Sequence, residues 1–237
     1  MINTVIFDLY ETLINEVRTD KDPPPSPALQ LDIAEDVYLK EYRLRTDQRM
    51  TGAFQDYASV LRDICKALKK PVDESLLERI QADRIVGFRS LFANAEDRIV
   101  QLLKKIKNNG MNIGLISNAS HEEIIGFETC PLHSYLDCAV FSCKVGYAKP
   151  SPEIYAIACQ RLNVSPEDCI YVGDGAMNEL SGAAKAGMKP FQAAWFMERW
   201  PDNWRQWHEL NCDMDFLKLS KPEELIALIE SNTSQLW

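Results

Sequence analysis

The chain has 237 residues, of which 46% are hydrophobic and 26% charged, with a formal net charge of −9. That is the balance of an ordinary globular protein, long enough for a core and an insert. The acidic surplus argues against nonspecific binding to nucleic acid or anionic membrane, and no apolar run is long enough to cross a bilayer; with no secretory leader expected either, because an acid interrupts the first apolar run, the expected location is the cytoplasm.

Thr4-Val5-Ile6-Phe7 is a short apolar run ending at Asp8. Neither face is polar, so it predicts a buried strand. Pro23-Pro24-Pro25-Ser26-Pro27 predicts a stiff turn or linker. Beyond it, Leu31, Ala34, Val37, Tyr38 and Tyr42 recur at helical spacing; Phe54, Tyr57, Ala58, Leu61, Ile64, Cys65 and Leu68 do so more cleanly, and Leu76, Leu77 and Ile80 begin a third helix. No strand pattern interrupts this stretch. Residues 15–91 are therefore expected to form an all-helical module inserted after the first strand, with hinges near 15–20 and 89–94, and residues 1–14 and 92–237 to form the core domain.

The Lys104-Lys105-Ile106-Lys107 cluster predicts a solvated helix end before Gly110. Apolar runs at Asn112-Ile113-Gly114-Leu115-Ile116, Cys138-Ala139-Val140-Phe141, Cys169-Ile170-Tyr171-Val172 and Phe191-Gln192-Ala193-Ala194 predict four more strands. Between them, Ser151-Pro152-Glu153 and Ser165-Pro166-Glu167 read as helix starts, and Ser120 with Glu123 and Ser220 with Glu223 as capping boxes. Trp200, Trp204 and Trp207 share one helical stripe, which predicts a helix packed on the sheet. Strands alternating with helices imply an α/β fold with a parallel sheet covered on both faces. The seven cysteines (Cys65, Cys130, Cys138, Cys143, Cys159, Cys169 and Cys212) lack any C-x-x-C spacing and read as buried thiols in a reducing compartment, not as a disulfide frame or zinc site.

Ligands of open α/β sheets bind outside the carboxyl ends of the strands. Four polar segments stand there: Asp8-Leu9-Tyr10-Glu11-Thr12, Ser117-Asn118, Lys149-Pro150, and Gly173-Asp174-Gly175 followed by Asn178 and Glu179. Each alone is ordinary turn chemistry; their order on successive strands is not. Together they resemble the haloacid dehalogenase (HAD) superfamily, whose four motifs are D-x-D-x-T, a Ser/Thr, a Lys, and an acidic pair. Here these correspond to Asp8 with Thr12, Ser117, Lys149, and Asp174 with Glu179. The resemblance implies a Rossmann-like core with a helical type 1 cap, hydrolysis through an aspartyl ester, and Mg²⁺.

Elementary chemistry supports those roles. A carboxylate is an adequate nucleophile if a cation neutralises the incoming anion. Asp8 and Asp174 are expected to share Mg²⁺ with the carbonyl oxygen of Tyr10. Lys149 would offset negative charge, Ser117 and Asn118 with the following amides would hold phosphoryl oxygens near a helix start, Glu179 would orient Lys149 or a metal-bound water, and Thr12 would brace the loop carrying Asp8.

One position departs from the phosphatase pattern. Phosphatases of this family carry a second Asp two residues after the nucleophile to protonate the leaving group, and here that residue is Tyr10. A tyrosine there resembles the L-2-haloacid dehalogenases, which also use a cap arginine; Arg43, Arg45 and Arg49 are candidates, although solvated helix faces explain them equally well. The acidic Asp174 argues the other way. The favoured expectation is a Mg²⁺-dependent phosphatase of a small phosphorylated metabolite, with a haloacid dehalogenase second and a non-catalytic binding protein third. The expected partner is a small anionic substrate, not nucleic acid or membrane. Neither the substrate nor the oligomeric state is legible.

Overall fold

The computed structural model describes residues 2–16, 25–212 and 216–232. Six parallel strands form one sheet: β1 (Thr4–Phe7), β2 (Asn112–Ser117), β3 (Cys138–Phe141), β4 (Cys169–Gly173), β5 (Lys189–Ala193) and β6 (Lys218–Leu219), in the order β3-β2-β1-β4-β5-β6. β1 is central, pairing Thr4 with Asn112 on one side and with Cys169 on the other. Its uninterrupted apolar sequence has a direct cause, because both faces are buried. Val5 and Phe7 point into one hydrophobic cluster and Ile6 into another.

The helices divide accordingly. From N- to C-terminus they are α1 (Pro27–Gln30), α2 (Glu35–Leu44), α3 (Thr46–Met50), α4 (Tyr57–Ala67), α5 (Glu74–Ala93), α6 (Asp97–Asn108), α7 (Ser142–Val145), α8 (Pro152–Leu162), α9 (Glu179–Lys185), α10 (Asp202–Asn211) and α11 (Pro222–Asn232). α6 and α11 cover the Val5 and Phe7 face through Leu102, Leu103, Ile106, Leu225 and Ile229. α8 and α9 cover the Ile6 face through Ile154, Tyr155, Ala158, Leu180 and Ala183. The result is a Rossmann-like three-layer core. No helix among the described residues is long and apolar enough to cross a membrane.

Residues 25–93 contain helices and no strand. They bury a third cluster of their own, with Tyr38, Tyr57, Leu61, Ile64, Leu77 and Ile80 at its centre. Asp56 starts α4 by accepting from the Ser59 amide at 2.8 Å, and Asp73 starts α5 by accepting from the Leu76 amide at 3.2 Å. The helical stretch meets the core through charge. Arg84 on α5 donates to Glu123 at 2.6 Å and lies 3.3 Å from Glu122. Of the linker predicted at residues 23–27, residues 23 and 24 lie outside the described ones, while Ser26 caps α1 and Pro27 begins it; the hinge predicted at 15–20 lies outside them from residue 17 on, and the second hinge, predicted at 89–94, coincides with the last turn of α5.

Several local expectations need correction. The tryptophan stripe does not pack a helix on the sheet: Trp200 precedes α10 and is buried, while Trp204 and Trp207 are 40% and 52% exposed. Periodicity says which residues share a face, not which way that face looks. The helix expected from Ser120 is a single 3₁₀ turn at Glu122–Ile124, with Glu123 reaching back to the Ser120 amide at 2.9 Å and the Ser120 hydroxyl left without a partner. At α11 the Ser220 amide is capped by Glu224 at 2.7 Å, one residue beyond the expected Glu223. Ser151 does start α8, but its hydroxyl bonds the Glu153 carboxylate instead of the backbone. Arg45 and Arg49 are not solvated. Arg45 is held by Glu41 and Asp63, each at 2.7 Å, and Arg49 lies 3.6 Å over the Tyr42 ring. Arg43 is exposed.

Candidate active site

Three strand ends converge. Asp8 follows β1 directly, Ser117 is the last residue of β2, and Asp174 follows β4 directly. The Asp8 amide donates to the Val172 carbonyl at 2.9 Å, extending the β1–β4 ladder by one residue and holding the two acid-bearing loops side by side. Both loops turn away at once, and Gly175, at φ 99°, supplies a backbone conformation that a side chain would resist.

Lys149 joins them. Its Nζ donates to Asp8 Oδ1 at 2.5 Å, to Glu179 Oε2 at 2.5 Å and to the Tyr171 hydroxyl at 3.1 Å. All three of the ammonium's protons are thereby used in a buried setting. The loop that delivers Lys149 is held by Asn118, which accepts from the Lys149 amide at 2.7 Å and donates to its carbonyl at 2.9 Å. Asn118 thus contacts the lysine backbone from both sides. Glu179, at the start of α9, is pinned by Tyr171 at 2.7 Å and by the Gly175 amide at 3.1 Å.

Burial pushes the carboxyls of Asp8 and Glu179 up, and the Lys149 cation opposes that shift in both. For Lys149 itself burial acts downward, but the flanking Asp8 and Glu179 outweigh it and keep it cationic. Asp8, Asp174 and Glu179 each present an oxygen within 4.8 Å of the others, and all three are buried. When ionised they exceed Lys149 by two negative charges. Hard oxygen donors around an excess of that size fit a divalent cation such as Mg²⁺, with Asp8 and Asp174 the freer pair because Glu179 is already committed to Lys149, Tyr171 and Gly175. The Ser117 hydroxyl is buried without a partner, as expected of a donor awaiting a ligand oxygen.

Thr12 is placed differently from expectation, and the Tyr10 side chain packs against α5. The Tyr10 hydroxyl donates to the Glu123 carbonyl at 2.5 Å, and its ring meets Phe88 of α5 edge-on at 6.1 Å. Burial holds its pKa well above 10. The side chain therefore seals the junction with α5 instead of offering an acid to the site. Thr12 does not brace its loop through the hydroxyl, which has no partner; its carbonyl does so, accepting from Trp195 Nε1 at 2.8 Å. Glu11, at φ 56°, accepts from the Glu16 amide at 2.5 Å and from the indole N–H of Trp200. Burial raises its carboxyl to about 7. A cavity of about 740 Å³, lined in part by Glu16, Tyr57, Arg84 and Phe88, lies beneath α5 but does not reach the carboxylates.

Sequence reasoning missed Tyr171, whose hydroxyl completes the Lys149 cradle, because it sits inside an apolar run that reads as core. It also missed His208, which lies against Asp174 from α10.

The model of the haloacid dehalogenase-like hydrolases matches residues 2–187. Among known proteins the chain is similar to a glyceraldehyde 3-phosphate phosphatase of Methanopyrus kandleri, 23% identical over 97% of each chain. It is also similar to the pyrophosphatase PpaX of Bacillus thuringiensis, 23% identical over 83% of this chain and 85% of that one. Among solved structures, an L-2-haloacid dehalogenase from Xanthobacter autotrophicus with chloropropionic acid covalently bound superposes with a TM-score of 0.65 at 16% identity, covering 97% of this chain and 99% of that one. A HAD family enzyme from Bacteroides thetaiotaomicron in complex with magnesium and inorganic phosphate gives a TM-score of 0.53 at 16% identity, covering 81% of this chain and 94% of that one. Likeness at these identities establishes a shared fold.

Proposed function

The chain belongs to the haloacid dehalogenase-like hydrolase family, and on that premise we propose that it is a Mg²⁺-dependent phosphatase of a small phosphorylated metabolite, acting through an aspartyl phosphate on Asp8. The observation that carries this reading is the second buried carboxylate, Asp174, set against Asp8, which Lys149 holds. A haloacid substrate brings one negative charge and gives no reason for that extra acid; a phosphate ester held with a divalent cation does. The names of the two phosphatase relatives support the same reading.

Residues 15–91 would then be the cap, and residues 1–14 with 92–237 the catalytic core. The free thiols suit a cytoplasmic setting. Asp8 attacks phosphorus, the ester oxygen leaves, and water then cleaves the acyl phosphate to release phosphate and restore the carboxylate. Lys149 stabilises the transferring group, Glu179 and Tyr171 hold Lys149 in place, and Asn118 fixes the loop behind it. Ser117 is left to bind a phosphoryl oxygen. Mg²⁺, held by Asp8, Asp174 and the carbonyl oxygen of Tyr10, would neutralise charge on the transferring phosphoryl group.

The leaving oxygen has no acid at Tyr10. Leaving groups that depart without a proton, such as 4-nitrophenolate, should therefore react faster than simple alkoxides by about 10²–10⁴-fold, the usual worth of general acid catalysis. Tyr10→Asp should speed alkyl phosphates and leave 4-nitrophenyl phosphate nearly unchanged. Steady-state rates on both esters and on 2-haloacids, each with Mg²⁺ and with chelator, test the assignment. Tyr10 favours one second reading, carbon–halogen cleavage, which needs no proton on the departing halide. Halide release in chelator with no phosphate ester turned over would replace the phosphatase with that dehalogenase.

A further inference from the structure

α10 brings one buried side chain up to the carboxylate cluster. His208 is 4% exposed, and its ring lies 4.9 Å from that of Trp200. Its Nε2 stands 3.0 Å from the carbonyl oxygen of Asp174 and 3.5 Å from Oδ2 of the same residue. A carbonyl oxygen can only accept, so the shorter contact is a hydrogen bond with the proton on Nε2. The same carbonyl accepts from Gln192 Nε2 at 2.9 Å, so donors from β5 and α10 fill both of its lone pairs. Asp174 Oδ1 accepts from the Ala176 amide at 3.0 Å. With the backbone held from two sides and one carboxylate oxygen tied down, the direction of Oδ2 is fixed.

An apolar side chain would dock α10 equally well if docking were its whole purpose. A buried imidazole is costly unless its N–H is bonded, and here that bond falls on the residue that faces Asp8. We propose that His208 is a positioning residue for Asp174: its Nε2–H, together with Gln192, aims the Asp174 carboxylate so that it can hold a divalent cation with Asp8. This rests on the Mg²⁺ reading above. Groups behind a metal ligand typically contribute about 10–100-fold in metal affinity.

The test is calorimetric titration of Mg²⁺ into the full-length wild type, His208→Phe and His208→Gln, with thermal unfolding of each in chelator. Phenylalanine keeps the ring and loses the donor; glutamine places an N–H close to the position of Nε2. His208→Phe should bind Mg²⁺ about 10–100-fold more weakly, His208→Gln should recover most of the loss, and the midpoints in chelator should stay close together. A merely structural role predicts the reverse, lowered midpoints with unchanged affinity, and overturns the proposal. Equal weakening in both variants overturns it as well, since the donor would then be irrelevant. If His208→Phe does not fold, His208→Met fills the space flexibly, also lacks a donor, and carries the same comparison. Absence of Mg²⁺ binding by the wild type would remove the metal reading and this proposal together, an outcome distinct from a wild type that binds beside a His208→Phe that binds equally well.

Discussion

Asp8→Asn should silence the enzyme toward every substrate it turns over, with a fall on the order of 10⁶-fold, the scale of losing a covalent nucleophile. Phosphate esters and haloacids would be affected alike, because both reactions begin at the same carboxylate. The fold should survive. The amide is nearly isosteric, and burial already disfavours the ionised form of Asp8. Lys149 keeps Glu179 at 2.5 Å and the Tyr171 hydroxyl at 3.1 Å as partners. The measurement is turnover of 4-nitrophenyl phosphate beside the thermal midpoint of the same preparation. A folded variant retaining activity within about tenfold of wild type would show that the reaction starts elsewhere.

Lys149→Met should be the most damaging single change to stability in the site. The lysine is buried and is the only cation within 4 Å of the Asp8 and Glu179 carboxylates among the described residues. Without it, those two carboxylates and Asp174 face one another in a low dielectric. Removing one partner of a buried ion pair costs about 3–5 kcal/mol. At about 2–4 °C per kcal/mol for a chain of this size, the midpoint in chelator should fall by about 6–20 °C. The double variant Lys149→Met with Glu179→Gln should regain part of that loss, because it neutralises one of the stranded charges. A single variant that melts with the wild type, or a double variant that melts below the single, would contradict this account of the cluster.

Much of this site could be read before any coordinates. Asp8 and Asp174 each follow an apolar run directly and Ser117 closes one, so a buried parallel sheet had to bring them to one edge. The two buried faces of β1 explain why that run carries no charge and no polar residue beyond Thr4. The less legible contacts share a physical cause. Arg84, Glu122 and Glu123 look like the solvated charges of any helix or turn, and only the packing of α5 against the turn after β2 shows them paired. His208 sits in a helix whose tryptophan stripe looks outward, so periodicity orients the wrong face, and its partner Asp174 lies 34 residues earlier in the chain. β6 has two residues, too few for any periodicity. The Tyr10 substitution was legible as a missing acid, but not its contact with the Glu123 carbonyl, which depends on where the 3₁₀ turn at Glu122–Ile124 falls.

The position of β1 at the centre of the sheet also governs how the protein is made. Synthesis delivers Asp8 well before either strand that flanks β1, since both lie more than a hundred residues downstream. Until Lys149 leaves the ribosome, the nucleophile has no counter-charge, and until β4 follows, β1 has an open edge. The helices of residues 27–93 emerge next and carry their own apolar cluster, so they can collapse while the sheet is still incomplete. Nascent chains halted before β4 should therefore hold a folded helical lobe beside an exposed apolar strand, the kind of intermediate that chaperones capture. The carboxylate cluster is complete only once Glu179 has been made, long after Asp8.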